Sequence, residues 1–572
     1  MHLDIRRVAR LMAIPLAAAT VAGLAVSSPA RAATDTEATP PVPTTATAGT
    51  SADAAALDTP AVATALARQS PTWQECYPGA GFPQLECAGV QVPKDWSKPR
   101  GERITIAVSR VKASDPAQRR GVLFTNPGGP GGPGLTLGLY LSLVEPELAA
   151  TYDLIGIDPR GVGSSTPVLE CADPAILGEL YNLDGRDVSA ANQKRFLELN
   201  KKYASTCSAD PLTRYIRTDQ VVRDFDLIRS VLRERKISYV GYSAGTWLGA
   251  WYGAVFPHRV DRFMLDGIVD FTSNSYSSAV RQPRGFQKSY ESYLLPWIAE
   301  HDDVYELGGT GDVVKKTIEA RRAALASAPM TLAGGGTLTA AGYDSGIVGA
   351  LYWTGLYDSI ATALSILERY DSATDEEKAA VAEVFGGDGG LGYDPFWAVS
   401  CQDDTSPSYQ RILDDTRRFR VSAPLTGATW NAYPCPFWSG RPSRSPVDGD
   451  DLPRMLLVNN DADPATPLGN ALAARRNTPR SVLITVRNQP DHTIYASGAP
   501  CVEEIVNNWL INGVFPRRDT TCAGLPLPEP EPAGTASAAD GAARAATAAP
   551  GQVPAQIWVD RFVKRHGAAR IR

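Results

Sequence analysis

Seven short runs of apolar and β-branched residues set the architecture. They are RITIAVSRV (103–111), GVLFTN (121–126), YDLIGID (152–158), ISYVG (237–241), RFMLDG (262–267), RMLLVNN (454–460) and SVLITVRN (481–488). Several are apolar without alternation, as strands buried on both faces are. Helix-like stretches such as DQVVRDFDLIRSVLRERK (219–236) separate many of them. Strands of that kind with helices between them are expected to form a mostly parallel sheet, an α/β fold. From about 275 to 445 the alternation stops. GDVVKKTIEARRAALASA and GIVGALYWTGLYDSIATALSILERY read as amphipathic helices, and Thr374 with Glu377 makes a capping-box pattern. A largely helical cap is therefore expected over 275–445, inserted between the sixth and seventh strands. It divides the core into segments 67–274 and 446–525.

The two ends read differently from the core. MHLDIRRVAR is basic, LMAIPLAAATVAGLAV is an apolar run interrupted by Pro15, and Ala30-Arg31-Ala32 fits a cleavage site. Residues 1–32 are expected to be a secretory signal peptide, with Arg6-Arg7 a weak hint of twin-arginine export. Residues 33–66 are rich in Ala, Thr and Pro and are expected to form a disordered linker or pro-segment. Residues 526–572 read as a low-complexity tail. Its last stretch, QIWVDRFVKRHGAARIR, is basic and amphipathic and is expected to be frayed and solvated. A net charge of −6 and a pI near 5.6 argue against nucleic acid as a partner. No later stretch is long and apolar enough for stable membrane insertion, so a secreted, monomeric protein is expected.

Eight cysteines suit an oxidising compartment: Cys76, Cys87, Cys171, Cys207, Cys401, Cys435, Cys501 and Cys522. No C-x-x-C occurs, so disulfides are expected and a metal site is not. Sequence alone cannot choose among the possible pairings. Pairing neighbours in order gives 76–87, 171–207, 401–435 and 501–522.

The chemistry is concentrated around Gly241-Tyr-Ser-Ala-Gly245, where ISYVG precedes the serine and AGTWLGAWYGAVF follows it. A strand, a sharp turn and a helix are the context in which Gly-x-Ser-x-Gly exposes a nucleophilic serine, here Ser243. The same five residues also occur at ordinary turns, so a base must be found. There are five histidines. His2 lies in the signal segment and His566 in the tail. His258 sits at the end of the elbow helix, and His301 at an acidic, exposed point of the cap. His492 follows the last long strand, at the end of the sheet where the elbow opens, and is the expected base. The acid should follow a strand between the two. Asp461 and Asp463 both qualify after RMLLVNN, with Asp463 favoured because D-P-A-T-P is turn-forming; Asp491 points the wrong way in an extended segment. The backbone N–H of Ala244 and that of Gly128 or Gly129, in the loop TNPGGPGGPG (125–134), are the expected oxyanion donors. No metal or organic cofactor is required by such a set.

These pieces resemble the secreted tripeptidyl aminopeptidases and the related prolyl-aminopeptidase-type serine peptidases of the α/β-hydrolase superfamily. The matching segments are NPGGPGGPG (126–134), YDLIGIDPRGVGSS (152–165), YVGYSAGTWLGAWYGAVFPHRVDRFMLDGIVD (239–270), DADPATP (461–467) and 491–524 with its cysteine pair. The resemblance implies an α/β-hydrolase fold with a helical cap over the site. It also implies the triad Ser243, Asp463 and His492, and an exopeptidase taking short peptides from the free N-termini of peptides or proteins. Cap carboxylates hold the substrate ammonium in such relatives. No motif selects among Asp302, Asp303, Glu306, Asp403 and Asp404. Asn126-Pro127 stands where the prolyl enzymes have His-Gly-Gly-Pro-Gly, which favours the tripeptidyl branch. An exported carboxylesterase or lipase is the alternative, and an inactive binding protein on the same fold a third reading.

Overall fold

The structure, a computed structural model, describes residues 65–386, 393–440, 442, 447–530, 555–567, 569 and 571. The expected signal peptide and most of the expected linker lie outside the described residues.

The seven runs all form strands. Those of the main sheet are β1 (Gln74–Glu75), β2 (Glu86–Pro93), β3 (Arg103–Val111), β4 (Gly121–Asn126), β5 (Tyr152–Asp158), β6 (Ile237–Tyr242) and β7 (Val260–Asp266). A small hairpin in the insertion, β8 (Met330–Thr331) with β9 (Thr337–Leu338), stands apart. The main sheet resumes with β10 (Met455–Asn460), β11 (Val482–Arg487) and β12 (Thr520–Ala523). Its spatial order is β1-β2-β3-β5-β4-β6-β7-β10-β11-β12. From β5 to β12 every neighbour is parallel, and the β1–β2–β3 edge is antiparallel. All residues of β4, β6 and β10 are buried, which explains their unbroken apolar sequences. Strands β1, β2 and β12 were not read from sequence. β1 has two residues and β12 four, and β2 mixes Gly, Gln and Pro into its pattern.

Helices cover both faces of this sheet, which separates two apolar clusters. One gathers Leu123, Tyr140, Tyr242, Ile484 and Trp509. The other gathers Phe124, Phe225, Tyr239, Leu265 and Leu457. The helical insertion leaves the sheet after β7 and returns at β10. These are the fifth and sixth of the seven runs read from the sequence, and they become the sixth and seventh strands when β2, which those runs did not include, is counted first. Its core holds Phe286, Trp297, Tyr343 and Leu364.

The cap is not one continuous segment. The helices Pro174–Asn182 and Ala190–Ala209 bury Ile176, Leu180, Phe196 and Tyr203 against Trp397, Ile412 and Tyr433. Arg322 binds Asp184 and Asp344 at 2.6 and 2.7 Å, which ties the earlier segment to the insertion. The sequence placed this earlier segment in the core because it lies between two core strands. Its apolar faces find partners only in the insertion.

All four disulfides pair neighbours in order, Cys76–Cys87, Cys171–Cys207, Cys401–Cys435 and Cys501–Cys522. The second closes within the earlier segment and the third within the insertion, so each fastens one part of the cap.

Both expected tails contribute to the core. Leu66, placed in the linker by composition, is 1% exposed beside Val90 and Ile106 in the second cluster. The C-terminal stretch is a helix, Ala555–His566, not a frayed end. Trp558, Val559 and Phe562 recur at helical spacing and bury one face, with Trp558 against Tyr140 and Phe562 against Tyr77 and Phe82. The Ala569 amide then bonds Ser164 Oγ at 2.8 Å. An amphipathic stretch judged alone has no partner; here the helix after the glycine loop supplies one.

Glu145 follows that helix, Leu137–Val144, and is 6% exposed, with Oε2 accepting a 2.8 Å bond from Asn507. Burial pushes its carboxyl up to about 7. The folded value lies above the unfolded one, so this group's contribution to stability is present at acid pH and lost as pH rises through 7. Glu145→Gln keeps the acceptor and removes the charge. Chemical denaturation should find it more stable than the parent at pH 8, by about 1–2 kcal/mol, with the gap closing at pH 5.

Candidate active site

Ser243 sits between β6 and the helix Ala244–Val255 with φ 54° and ψ −125°. Few non-glycine residues adopt such a backbone, and one that does is held there by its surroundings. Its N–H donates to Asp266 O at 2.8 Å, and its carbonyl accepts from the Thr246 amide and hydroxyl at 2.9 and 2.7 Å. The turn is therefore fastened to the end of β7 and to the first turn of the elbow helix. Ala244 is the first residue of that helix, so its amide lacks an intrahelical acceptor.

The glycine loop after β4 lies directly against this turn. A Cβ on Gly128 would come 2.5 Å from Tyr242 O and 2.9 Å from both Ala244 N and Ser243 Cβ. Only glycine allows that approach, and its φ of 100° adds a second reason. The structure also separates the two glycines that the sequence offered together. The Gly128 amide donates to Asn126 Oδ1 at 3.0 Å and is spent. The Gly129 amide has no acceptor among the described residues. Asn126 is thus a loop brace, and Gly129 is the glycine with an amide to give.

His492 is 3% exposed, with Nδ1 3.0 Å from each Asp463 oxygen. Asp463 is fixed by the amides of Ala465 and Thr466 at 2.9 and 2.7 Å, and by the Thr466 hydroxyl at 2.8 Å. This is the turn chemistry that D-P-A-T-P suggested. A carboxylate on Nδ1 keeps the proton there and leaves Nε2 as an acceptor. Asp461 takes no part in the pair and accepts from the Gln489 amide. Asp491 binds the Thr354 amide at 2.6 Å and the Gln489 side chain at 2.7 Å, also away from the imidazole.

Asp266 joins the two halves. Its carbonyl holds Ser243, and its Oδ2 accepts the amides of Ile494 and Tyr495, both at 2.8 Å, just beyond His492. Burial pushes its carboxyl up to about 6. A Cβ on the next residue, Gly267, would lie 3.2 Å from both His492 Cε1 and Thr466 Oγ1. The elbow and the imidazole therefore face each other across the end of β7. Tyr242 OH adds a 3.2 Å bond to Tyr495 O.

The cap closes on this assembly. The His492 amide bonds Tyr352 O at 2.9 Å, and the Tyr352 ring meets the imidazole edge-on at 5.6 Å. Gly131 of the glycine loop lies against Pro395 and Phe396. The sequence missed Asp266, Thr466, Tyr352 and Asn126. Thr466 alone left a trace, three residues after an aspartate in a turn. The carboxylates flagged as ammonium candidates fare unevenly. Asp403 is 2% exposed and binds Thr218 at the start of a core helix, Asp404 binds the Ser275 amide, and Asp302 binds the Gly308 amide. Among the other histidines, His301 is half-buried on Trp297 and bonds its carbonyl at 2.8 Å, so it is not the exposed residue expected.

A parallel sheet with a serine elbow, a carboxylate-held histidine and a glycine loop defines an α/β hydrolase of the serine class. Residues 121–308 match the family model described as the alpha/beta hydrolase fold, and 423–522 match that described as TAP-like protein. The chain is 32% identical to a tripeptidyl aminopeptidase of Streptomyces lividans, over 84% of this chain and 92% of that protein. It is 29% identical to serine protease Hip1 of Mycobacterium tuberculosis, over 76% and 87%. It is 28% identical to carboxylesterase B of the same organism, over 76% and 86%. The chain belongs to the tripeptidyl aminopeptidase family of serine peptidases.

The Thr466 hydroxyl also lies 3.3 Å from His492 Nδ1, so it steadies both members of the pair. Thr466→Val keeps shape and removes the donor. Steady-state kinetics should show kcat reduced about tenfold with KM little changed, the effect of one lost hydrogen bond to a charged group.

Proposed function

We propose that this protein is an exported serine exopeptidase that cleaves peptide bonds near free N-termini and releases tripeptides. The observation carrying this reading is the Asp463–His492 pair, set across Asp266 and Gly267 from the strained Ser243. Ser243 attacks the acyl carbon while His492 Nε2 takes its proton. Asp463 keeps the proton on Nδ1 and stabilises the imidazolium. The amides of Ala244 and Gly129 receive the oxyanion. His492 returns its proton to the leaving amine, and water then resolves the acyl-enzyme through the same base. Export is supported by the basic, apolar and A-x-A segments of residues 1–32 and by four disulfides. Among the described residues no helix is long and apolar enough to cross a membrane.

An esterase is the second reading, favoured by the carboxylesterase name of one relative. Tripeptide amides with free and with acetylated N-termini separate the two. The peptidase reading expects activity on the free form and its loss on acetylation. Activity on esters alone would overturn it. Ser243→Ala should abolish both turnover and fluorophosphonate labelling, and Asp463→Asn should lower kcat by about three to four orders of magnitude. Mass spectrometry of the exported protein should find Ala33 as the first residue.

A further inference from the structure

A cavity of about 470 Å³ lies between the cap and the loop that carries Asp463, and neither Ser243 nor His492 lines it. Its cap wall comes from the helices Gln282–Ser289 and Tyr409–Ser422, and its core wall from residues 461–469. Five cationic side chains line it: Arg281, Arg284, Lys288, Arg411 and Arg418. Three carboxylates accompany them, Asp415, Asp461 and Asp463. Asp463 is engaged with His492. Asp415 is buried and already takes Arg411 at 2.7 Å, Arg418 at 2.9 Å and the Tyr276 hydroxyl at 2.8 Å. Arg281 spans Asn470 at 2.6 Å and Asp270 at 3.5 Å.

Arg284 and Lys288 are left over. Neither has a carboxylate partner among the described residues. Arg284 lies over the Phe419 ring, and Lys288 reaches only the carbonyl of Asp461 at 3.4 Å. They sit four residues apart on one helix, so both project from the same face, and that face borders the cavity. Arg281 and Arg418 stand around them with donors in excess of their acceptors. The start of the helix Leu468–Arg476 adds its positive end from the core side through Leu468 and Gly469. Five cationic side chains against three carboxylates leave the lining with an excess of positive charge, which a bound anion offsets.

We propose that this cavity binds a multivalent oxyanion, with Arg284 and Lys288 as its principal donors. The ligand chemistry is clustered carboxylate or phosphate groups, carried by a free ion or by an acidic stretch of a peptide. The bound anion bridges the cap helix Gln282–Ser289 to the loop that holds Asp463.

The test is titration calorimetry on the full chain carrying Ser243→Ala, which needs no turnover, so its outcome is independent of the catalytic roles proposed above. The probes are citrate, inorganic phosphate and an N-acetylated Glu-rich peptide. Binding of citrate or phosphate without the peptide identifies a free ion as the ligand, and binding of the peptide identifies a substrate-borne anion. In either case Arg284→Gln with Lys288→Gln should weaken binding by about tenfold or more, because charge-assisted contacts are the strong ones. Both residues are exposed and lack a carboxylate partner among the described residues, so this variant should melt within about a degree or two of the parent when no anion is present. Equal affinity in the variant and the parent, or no binding of any probe to the parent, would overturn the proposal.

Discussion

The site depends on how the chain leaves β7. Asp266 uses its backbone to hold the Ser243 amide and its carboxylate to hold the amides after His492. Two segments far apart in sequence, at Ser243 and at Ile494–Tyr495, are thereby fixed to one strand end. A carboxylate at 0% exposure is costly to bury, and two backbone donors offset part of that cost. The strain at Ser243 persists because its neighbours leave no alternative. The same strand end admits only glycine at 267, where any side chain would meet the imidazole.

Much of this was legible in the sequence. The buried parallel strands announce themselves as unbroken apolar runs, and ISYVG followed by Ser243 marks the elbow without reference to anything distant. The scarcity of histidine left His492 as the expected base, and turn chemistry favoured Asp463, the residue that holds its Nδ1, over Asp461. What stayed hidden has a common cause. Asp266 looks like the last residue of a strand, and only its long-range partners at 494 and 495 give it a role. Tyr352 acts through its carbonyl, which no side-chain pattern encodes. Gly128 and Gly129 are indistinguishable as letters, and a single bond from Asn126 Oδ1 tells them apart.

The boundaries were misread for a related reason. Residues 171–216 lie among core strands in the sequence but pack with the cap, since Phe196 and Tyr203 have no apolar surface on the sheet to meet. Trp558 and Phe562 were read as solvated because the residues they cover, Tyr140 for one and Tyr77 and Phe82 for the other, are more than 400 residues earlier. Composition describes what a segment can bury, and topology decides whether a surface is offered to it.

The division of the core by the cap also orders events in time. β7 ends at Asp266 and its partner β10 begins at Met455, so the proposed nucleophile is made long before the proposed acid and base. Until the chain beyond β11 is in place, the Asp266 carboxylate has no amides to hold, although its carbonyl already fastens the elbow. A chain still being synthesised carries the serine but not the geometry that activates it. In the proposed scheme, hydrolytic capacity arrives only with the completed sheet.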